Sequence, residues 1–170
     1  ATQAMYRVTK DMPRPIPIVF GSIGDPMASG VIKDIKRPGT NVTGVASLST
    51  ELTSRRLELL KEIDPSIKKV AYPHTAVEDG DVAANKSFEI ATKTAEELGI
   101  ELVYFPIYKK EDNTETAKKI FKKDVDGILI GADSLIWAGF DGYVEQAKKE
   151  KLPLAAFSRT QIEGGALVAF

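Results

Sequence analysis

Short apolar segments alternate with amphipathic segments of helical period along almost the whole chain, and this alternation is the strongest constraint on its fold. Residues 84–98 show the helical pattern most clearly, because their apolar residues recur at spacings of four, three, four and three. Val125–Gly131 and Leu152–Phe157 are mostly apolar without alternation, as expected for strands that are covered on both faces. Strands that alternate with helices form βαβ units and a parallel sheet. The sequence therefore predicts a doubly wound α/β fold.

The segment from Ile16 to Leu48 contains the most informative strand-to-helix turn. Ile16–Phe20 is predicted to be a buried strand, followed by a loop of small residues at 21–26, a helix at Met27–Lys36 and a second strand at Val42–Ser47. A strand that opens into a glycine-containing loop at a helix N-terminus presents backbone N–H groups to a ligand. An ordinary βα turn has the same appearance, so this loop alone leaves both interpretations open.

The charge balance and the missing residue types narrow the classes of function. The 170 residues carry a net charge of −1, which gives no electrostatic reason to expect nucleic acid or an anionic membrane as a partner. No run of 18 apolar residues is present, so no membrane span is predicted. Cysteine is absent, which excludes disulfides and thiolate catalysis. The sequence stops within an apolar segment, Gly165–Phe170, and is expected to be part of a longer protein.

The sequence lacks the motifs of common cofactor and hydrolase sites. Gly21 and Gly24 have the spacing G-x-x-G rather than G-x-G-x-x-G, and neither a Walker-type motif nor a nucleophile elbow occurs. The single histidine, His74, is predicted to lie in a loop after a strand, where a polar contact is favoured over general-base catalysis. The acidic residues at 78–81 lack the spacing of an EF-hand loop, which favours a solvated loop. No metal, cofactor or catalytic residue is therefore predicted.

Ligands of open α/β sheets bind beyond the carboxyl ends of the strands, so the loops predicted there form the candidate site. These loops are residues 21–26, 73–81, 108–113, 131–134 and 158–163. Asp25 and Asp133 each end a small-residue loop and are either helix caps or partners for a ligand ammonium group. Phe140 is predicted to lie in the core, whereas Trp137 is either core or an aromatic wall. Arg159 has the chemistry to pair with a ligand carboxylate. The hydroxyl groups at the same edge are those of Ser22, Thr75, Ser134 and Ser158.

Several motifs resemble those of ABC-transporter substrate-binding proteins of the tryptophan- and aromatic-amino-acid-binding type. The motifs that match are Gly24-Asp25-Pro26, Pro38-Gly39, Asn41, Thr43-Gly44-Val45, the run Arg56 to Glu62, Leu152-Pro153 and the run Gly164 to Leu167. The resemblance covers essentially the whole chain. The loop after Tyr72 departs from the family pattern, because Pro73-His74-Thr75 stands where the family usually has Asn-Pro and the loop is longer.

The resemblance implies a periplasmic-binding-protein type I fold, in which two doubly wound lobes close on a ligand. It assigns residues 1–47 and 164–170 to a partial first lobe and residues 48–163 to a nearly complete second lobe. With the loop residues 74 and 75 included, the predicted ligand-binding residues are Thr2, Gln3, Ser22, Ile23, Gly24, Asp25, His74, Thr75, Asp133, Ser134, Phe157 and Ser158.

The function implied by the resemblance is non-catalytic binding of a small solute, such as an aromatic or other amino acid, for an ABC importer. The partners would be that small-molecule ligand and the permease subunits, and the protein would be periplasmic or a cell-surface lipoprotein. The alternative is a sensor, or the effector-binding domain of a transcription regulator, with the same fold. An enzyme is disfavoured because the sequence offers no recognisable pair of nucleophile and base.

Overall fold

The computed structural model describes residues 1–76, 78 and 82–170, which form two compact units. The first unit spans Ala1–Ser49 and the second spans Thr50–Phe170. Two residues of the predicted solvated acidic loop, Asp79 and Asp81, lie outside the described residues, as do Val77 and Gly80.

The first unit contains one helix and one pair of parallel strands. Its elements are α1 (Thr2–Thr9), β1 (Ile18–Ile23) and β2 (Val42–Ala46). The strands pair in parallel with Ile18 beside Val42. The buried residues Phe20, Val31, Ile32 and Val42 form the core of this unit.

The helix predicted at Met27–Lys36 does not form. The chain makes turns there instead, and the N–H groups of both Val31 and Ile32 donate to the carbonyl of Pro26. Gly30 directly precedes them at φ +70°, in the left-handed region that ends helical structure. Val31 and Ile32 then enter the core, so their burial has more influence than local helix propensity.

The second unit contains a five-stranded parallel sheet and six helices among its described residues. Its elements are α2 (Thr53–Ile63), β3 (Lys69–Thr75), α3 (Val82–Leu98), β4 (Glu101–Ile107), α4 (Asp112–Ala117), β5 (Gly127–Leu129), α5 (Ser134–Trp137), α6 (Phe140–Glu150), β6 (Leu154–Ala156), α7 (Arg159–Gly164) and β7 (Val168–Ala169). The strand order is β4-β3-β5-β6-β7, with all neighbours parallel.

Helices cover both faces of this sheet. Successive residues of β5 belong to different cores, since Ile128 packs with α4 and α6 whereas Leu129 packs with α2 and α3. Because both faces are buried, the strands are apolar without alternation, as the sequence indicates. The predicted parallel α/β fold with helices on both faces is confirmed. Among the described residues, no helix is long and apolar enough to cross a membrane.

Several predicted boundaries differ from the structure. The strand predicted at Ile16–Phe20 is Ile18–Ile23 in the structure, so it includes the first half of the predicted loop at 21–26. The strand β3 continues through His74 to Thr75, so the loop begins later than predicted. The segment predicted to be a loop at Ser158–Glu163 forms α7, because the side chain of Ser158 caps it. Residues 164–170 lie in the second unit, where Val168–Ala169 pair with β6; their assignment to a first lobe stays a prediction.

Candidate functional site

The carboxyl ends of β3, β5 and β6 bring six of the predicted site residues to one edge of the second unit. These strands are adjacent in the sheet and run in the same direction, so the residues that follow them emerge together. The residues that meet there are His74, Thr75, Asp133, Ser134, Phe157 and Ser158. They divide into enclosed residues that support the edge and accessible residues on its surface.

Asp133 is an enclosed residue that joins the end of β3 to the start of α5. Its Oδ1 accepts hydrogen bonds from the N–H groups of Leu135 (2.9 Å) and Ile136 (3.3 Å), which makes it the N-cap of α5. The hydroxyl of Thr75 also donates to Oδ1, over 2.9 Å, and the backbone N–H of Thr75 donates to Oδ2 over 2.8 Å. Of the two sequence interpretations, the helix cap is the one that these contacts support.

The Asp133 carboxyl is held in its ionised form despite being only 3% exposed. Burial by itself would raise the pKa of this carboxyl, but the contact from His74 and the two hydrogen bonds from Thr75 together lower it below its ordinary value. A carboxylate that already accepts four hydrogen bonds has little capacity left for a ligand. Its role at this edge is to hold two elements together.

His74 is fully buried within β3, rather than placed in an open loop as predicted. Its ring stacks on Phe88, with 5.0 Å between ring centroids and 19° between ring planes, and Tyr104 lies 6.2 Å away. Nδ1 lies 3.2 Å from Oδ2 of Asp133 without the alignment of a hydrogen bond, and Nε2 lies 3.2 Å from Oδ1 of Asn85. The side chain therefore supports the edge from inside.

Trp137 and Phe157 provide an accessible aromatic surface at this edge. Trp137, the last residue of α5, is 42% exposed, and its ring lies 5.3 Å from that of Phe157. The guanidinium of Arg56 lies 5.7 Å from the centre of the Phe157 ring. Phe140 is buried in the core as predicted. Trp137 belongs to the accessible surface rather than to the core, a choice that the sequence leaves open.

The hydroxyl residues of the surface have simple local roles. Ser134 is exposed at the start of α5. Ser158 caps α7, and its hydroxyl also lies 3.0 Å from that of Thr160. Arg159, considered as a partner for a ligand carboxylate, pairs with Glu163 one helical turn away over 3.0 Å.

A buried polar network beneath the edge escapes prediction from the sequence. The hydroxyl of Ser87 lies 2.8 Å from that of Thr53 and 3.1 Å from that of Tyr72, and it accepts from the N–H of Ala132 over 3.2 Å. These contacts tie α2, α3, β3 and the loop after β5 together. The one signal in the sequence is that Ser87 is a polar residue on the helical face of Ala84 and Ala91, which belong to the apolar stripe of residues 84–98.

Arg56 extends this network to the end of β7. Its Nη1 donates to the hydroxyl of Thr53 over 3.1 Å, and its Nε donates to the carbonyl of Phe170 over 3.0 Å. Burial lowers the pKa of the guanidinium to about 10. The side chain is fully enclosed, so it supports the edge from beneath.

The remaining predicted site residues lie in the first unit, at the end of β1 and the start of α1. Gln3 donates from Nε2 to the carbonyl of Ser29 over 2.8 Å, and Asp25 accepts from the N–H of Ala28 over 2.8 Å. Asp25 therefore caps the turn that follows it. The other predicted residues of this unit are Thr2, Ser22, Ile23 and Gly24, of which Ser22 is exposed and the others are half-buried.

The described part of the chain contains no cluster of three or more histidine, cysteine or carboxylate side chains that has the arrangement of a metal site. The polar groups at the edge are hydroxyls, an amide and an enclosed His–Asp pair. Such an edge is suited to recognise a polar organic molecule with an aromatic or apolar part.

Comparison with known proteins gives the family of this chain. The model of the family described as "ABC transporter substrate binding protein" matches residues 1–170. The tyrosine-binding protein of Clostridioides difficile strain R20291 is 27% identical over 169 residues, which cover 98% of this chain and 46% of that protein.

Solved structures give a consistent result. The crystal structure of a conserved domain protein from Vibrio cholerae is 28% identical with a TM-score of 0.82, and the match covers 97% of this chain and 52% of that one. The crystal structure of an ABC domain from Streptococcus pneumoniae in complex with L-Trp is 25% identical with a TM-score of 0.80. That match covers 100% of this chain and 55% of the other. The chain thus spans about half the length of these relatives. The family match extends over every residue of the chain, which therefore belongs to the ABC transporter substrate binding protein family.

Proposed function

We propose that this chain is part of a receptor that binds a small solute without chemical change and delivers it to an ABC importer. The observation that carries the proposal is the accessible Trp137–Phe157 pair at the carboxyl edge of the five-stranded sheet. Ligands of open parallel sheets bind at this edge. Family membership supports a transport role over that of a transcription regulator.

An L-amino acid with an aromatic side chain is the proposed ligand. An aromatic ring of the ligand can pack on the exposed face of Trp137 in an offset or edge-to-face arrangement. Two relatives support this choice, since one is named for tyrosine binding and another was solved with L-Trp. The polar ends of the ligand would meet the hydroxyls of Ser134 and Ser158.

The first unit is proposed to provide further contacts through its own strand end and helix start. The residues concerned are Thr2, Gln3, Ser22, Ile23, Gly24 and Asp25. Ligand that contacts both lobes would favour a closed conformation, because it has a higher affinity for that state than for the open one. In the second lobe, His74, Thr75 and Asp133 are proposed to act beneath the contact surface.

Catalysis is not part of the proposal. The single histidine is enclosed by Phe88 and faces an amide and a carboxylate, so it has no path to abstract a proton from a bound molecule. A receptor of this kind would work outside the cytoplasm, in the periplasm or as a cell-surface lipoprotein, and would dock on permease subunits.

Isothermal titration calorimetry on the full-length protein tests the function. We expect L-Trp or L-Tyr to bind with a Kd in the micromolar range, which corresponds to a binding free energy of about −8 kcal/mol. The ligand should be recovered unchanged after incubation. L-Leu, glucose and a nucleoside serve as controls. Binding of only the sugar or the nucleoside would contradict the ligand class, and conversion of a bound compound would contradict the non-catalytic role.

A further inference from the structure

We propose that His74 is a positioning residue for this edge, which acts through Asp133 to fix α5 and the Trp137 ring that α5 carries. The effect on α5 is independent of any ligand. Only the effect on solute affinity rests on the proposed function, so the two can fail separately.

Helix α5 depends on Asp133 for its position. With four residues it is too short to be stable by itself, because a helix of one turn does not repay the cost of its nucleation. Asp133 provides the cap at its N-terminus and is itself fixed to β3 through both the N–H and the hydroxyl of Thr75. Any rotation of the carboxylate would therefore move the start of α5, and Trp137 lies at its end.

His74 restricts that rotation from the Oδ2 side. Nδ1 lies 3.2 Å from this oxygen, and because an ionised carboxylate only accepts hydrogen bonds, the contact favours the ring tautomer that carries its N–H at Nδ1. The imidazole cannot turn away, because Phe88 stacks on its face at 5.0 Å and Tyr72 and Tyr104 lie within 6.2 Å. The oxygen of Asn85 at 3.2 Å fixes Nε2 at the other end of the ring. The donor is thus held in one orientation.

A matched pair of substitutions separates this role from simple filling of space. The amide nitrogen of asparagine is attached to Cγ, as Nδ1 of histidine is, so His74→Asn keeps a donor near Asp133. The amide nitrogen of glutamine lies two bonds from Cγ, as Nε2 of histidine does, so His74→Gln keeps a polar group near Asn85 and removes the donor near Asp133. Glutamine is the larger of the two and fills the space of the ring better.

The experiment measures hydrogen exchange by mass spectrometry in the full-length protein, for a peptide that covers α5 and for one that covers α6 as an internal reference. We expect His74→Gln to raise exchange in α5 about tenfold relative to α6, the effect of losing a contact to a charged group. The Asn variant should restore protection to within about twofold. Affinity for L-Trp, where it is measurable, should follow the same order.

Equal exchange in the two variants, or better protection with Gln than with Asn, would overturn the proposal because it would indicate space filling alone. Asp133→Asn provides a second test that does not depend on the His74 variants being folded. By itself it should raise exchange in α5, and in double variants it should also remove the difference between His74→Asn and His74→Gln. Unchanged protection of α5 in Asp133→Asn would also overturn the proposal. If L-Trp does not bind, the exchange data still decide the role of His74.

Discussion

Substituting Gly131 by alanine should destabilise the second unit strongly, because the loop after β5 passes directly over the buried Tyr72 phenol. A Cβ at Gly131 would overlap the Tyr72 hydroxyl oxygen and would lie 2.8 Å from Cζ and 3.0 Å from the Ser87 hydroxyl. The phenol has no exposed surface and packs against Phe88 at 5.5 Å between ring centroids. The ring can therefore move only by displacing its neighbours.

The cost can be worked out from these contacts. Overpacking of a well-packed core costs about 1–3 kcal/mol, and loss of the bond between Tyr72 and Ser87 adds about 1 kcal/mol. The free energy of unfolding should fall by about 2–4 kcal/mol, which lowers the urea midpoint by about 1–2 M for an m-value of about 2 kcal/mol/M. Urea denaturation followed by circular dichroism measures this change.

Gly142→Ala provides the matched control. Gly142 is a half-buried residue of α6, and a Cβ there would make an ordinary contact of 3.8 Å with the Cβ of Ala117 in α4. Alanine is also favoured over glycine within a helix by about 0.5–1 kcal/mol. In a Tyr72→Phe background, Gly131→Ala should cost less, since the closest atom is then Cζ. A Gly131→Ala protein with the midpoint of the wild type would refute the reasoning.

Two further predictions concern the candidate site. The folded pKa of Asp133 lies below its ordinary value, so its contribution to stability is present above about pH 4 and is lost as the pH falls through the folded pKa. Asp133→Asn should therefore flatten a plot of melting temperature against pH below about pH 4. An unchanged slope in that range would contradict the assigned stabilising role of the carboxylate. Trp137→Ala should weaken binding of an aromatic amino acid about tenfold or more while Trp137→Phe retains most of the affinity, as measured by calorimetry; equal affinities would show that the ring does not contact the ligand.

The architecture of the second unit could be predicted from the sequence because it depends on local periodicity. The apolar stripe of residues 84–98 lies within α3, and the predicted strands at Val125–Gly131 and Leu152–Phe157 contain β5 and β6. The continuous apolar character of β5 and β6 indicated two covered faces. Patterns of this kind are repeated over many residues, so single exceptions do not hide them.

The candidate site was less predictable because its contacts join residues far apart in the chain. His74 and Asp133 are 59 positions apart, and Thr53 and Ser87 are 34 positions apart. Sequence patterns mark the ends of strands, but they do not reveal which side chains are enclosed there. The burial of His74 depends on Phe88, in a different element, and the failure of the helix at Met27–Lys36 depends on the core that Val31 and Ile32 enter.

The separation of enclosed and accessible residues at the sheet edge has an evolutionary consequence. Asp133 and Ser87 are enclosed and hold the elements together. Ser134 and Trp137, in the short helix that Asp133 caps, are exposed. Changes at exposed positions usually alter stability by less than about 0.5 kcal/mol. In the proposed receptor, selection for a different solute can therefore act on Ser134 and Trp137 at low cost to folding. Descendants of such a protein would diversify in ligand while the polar supports beneath stay constant.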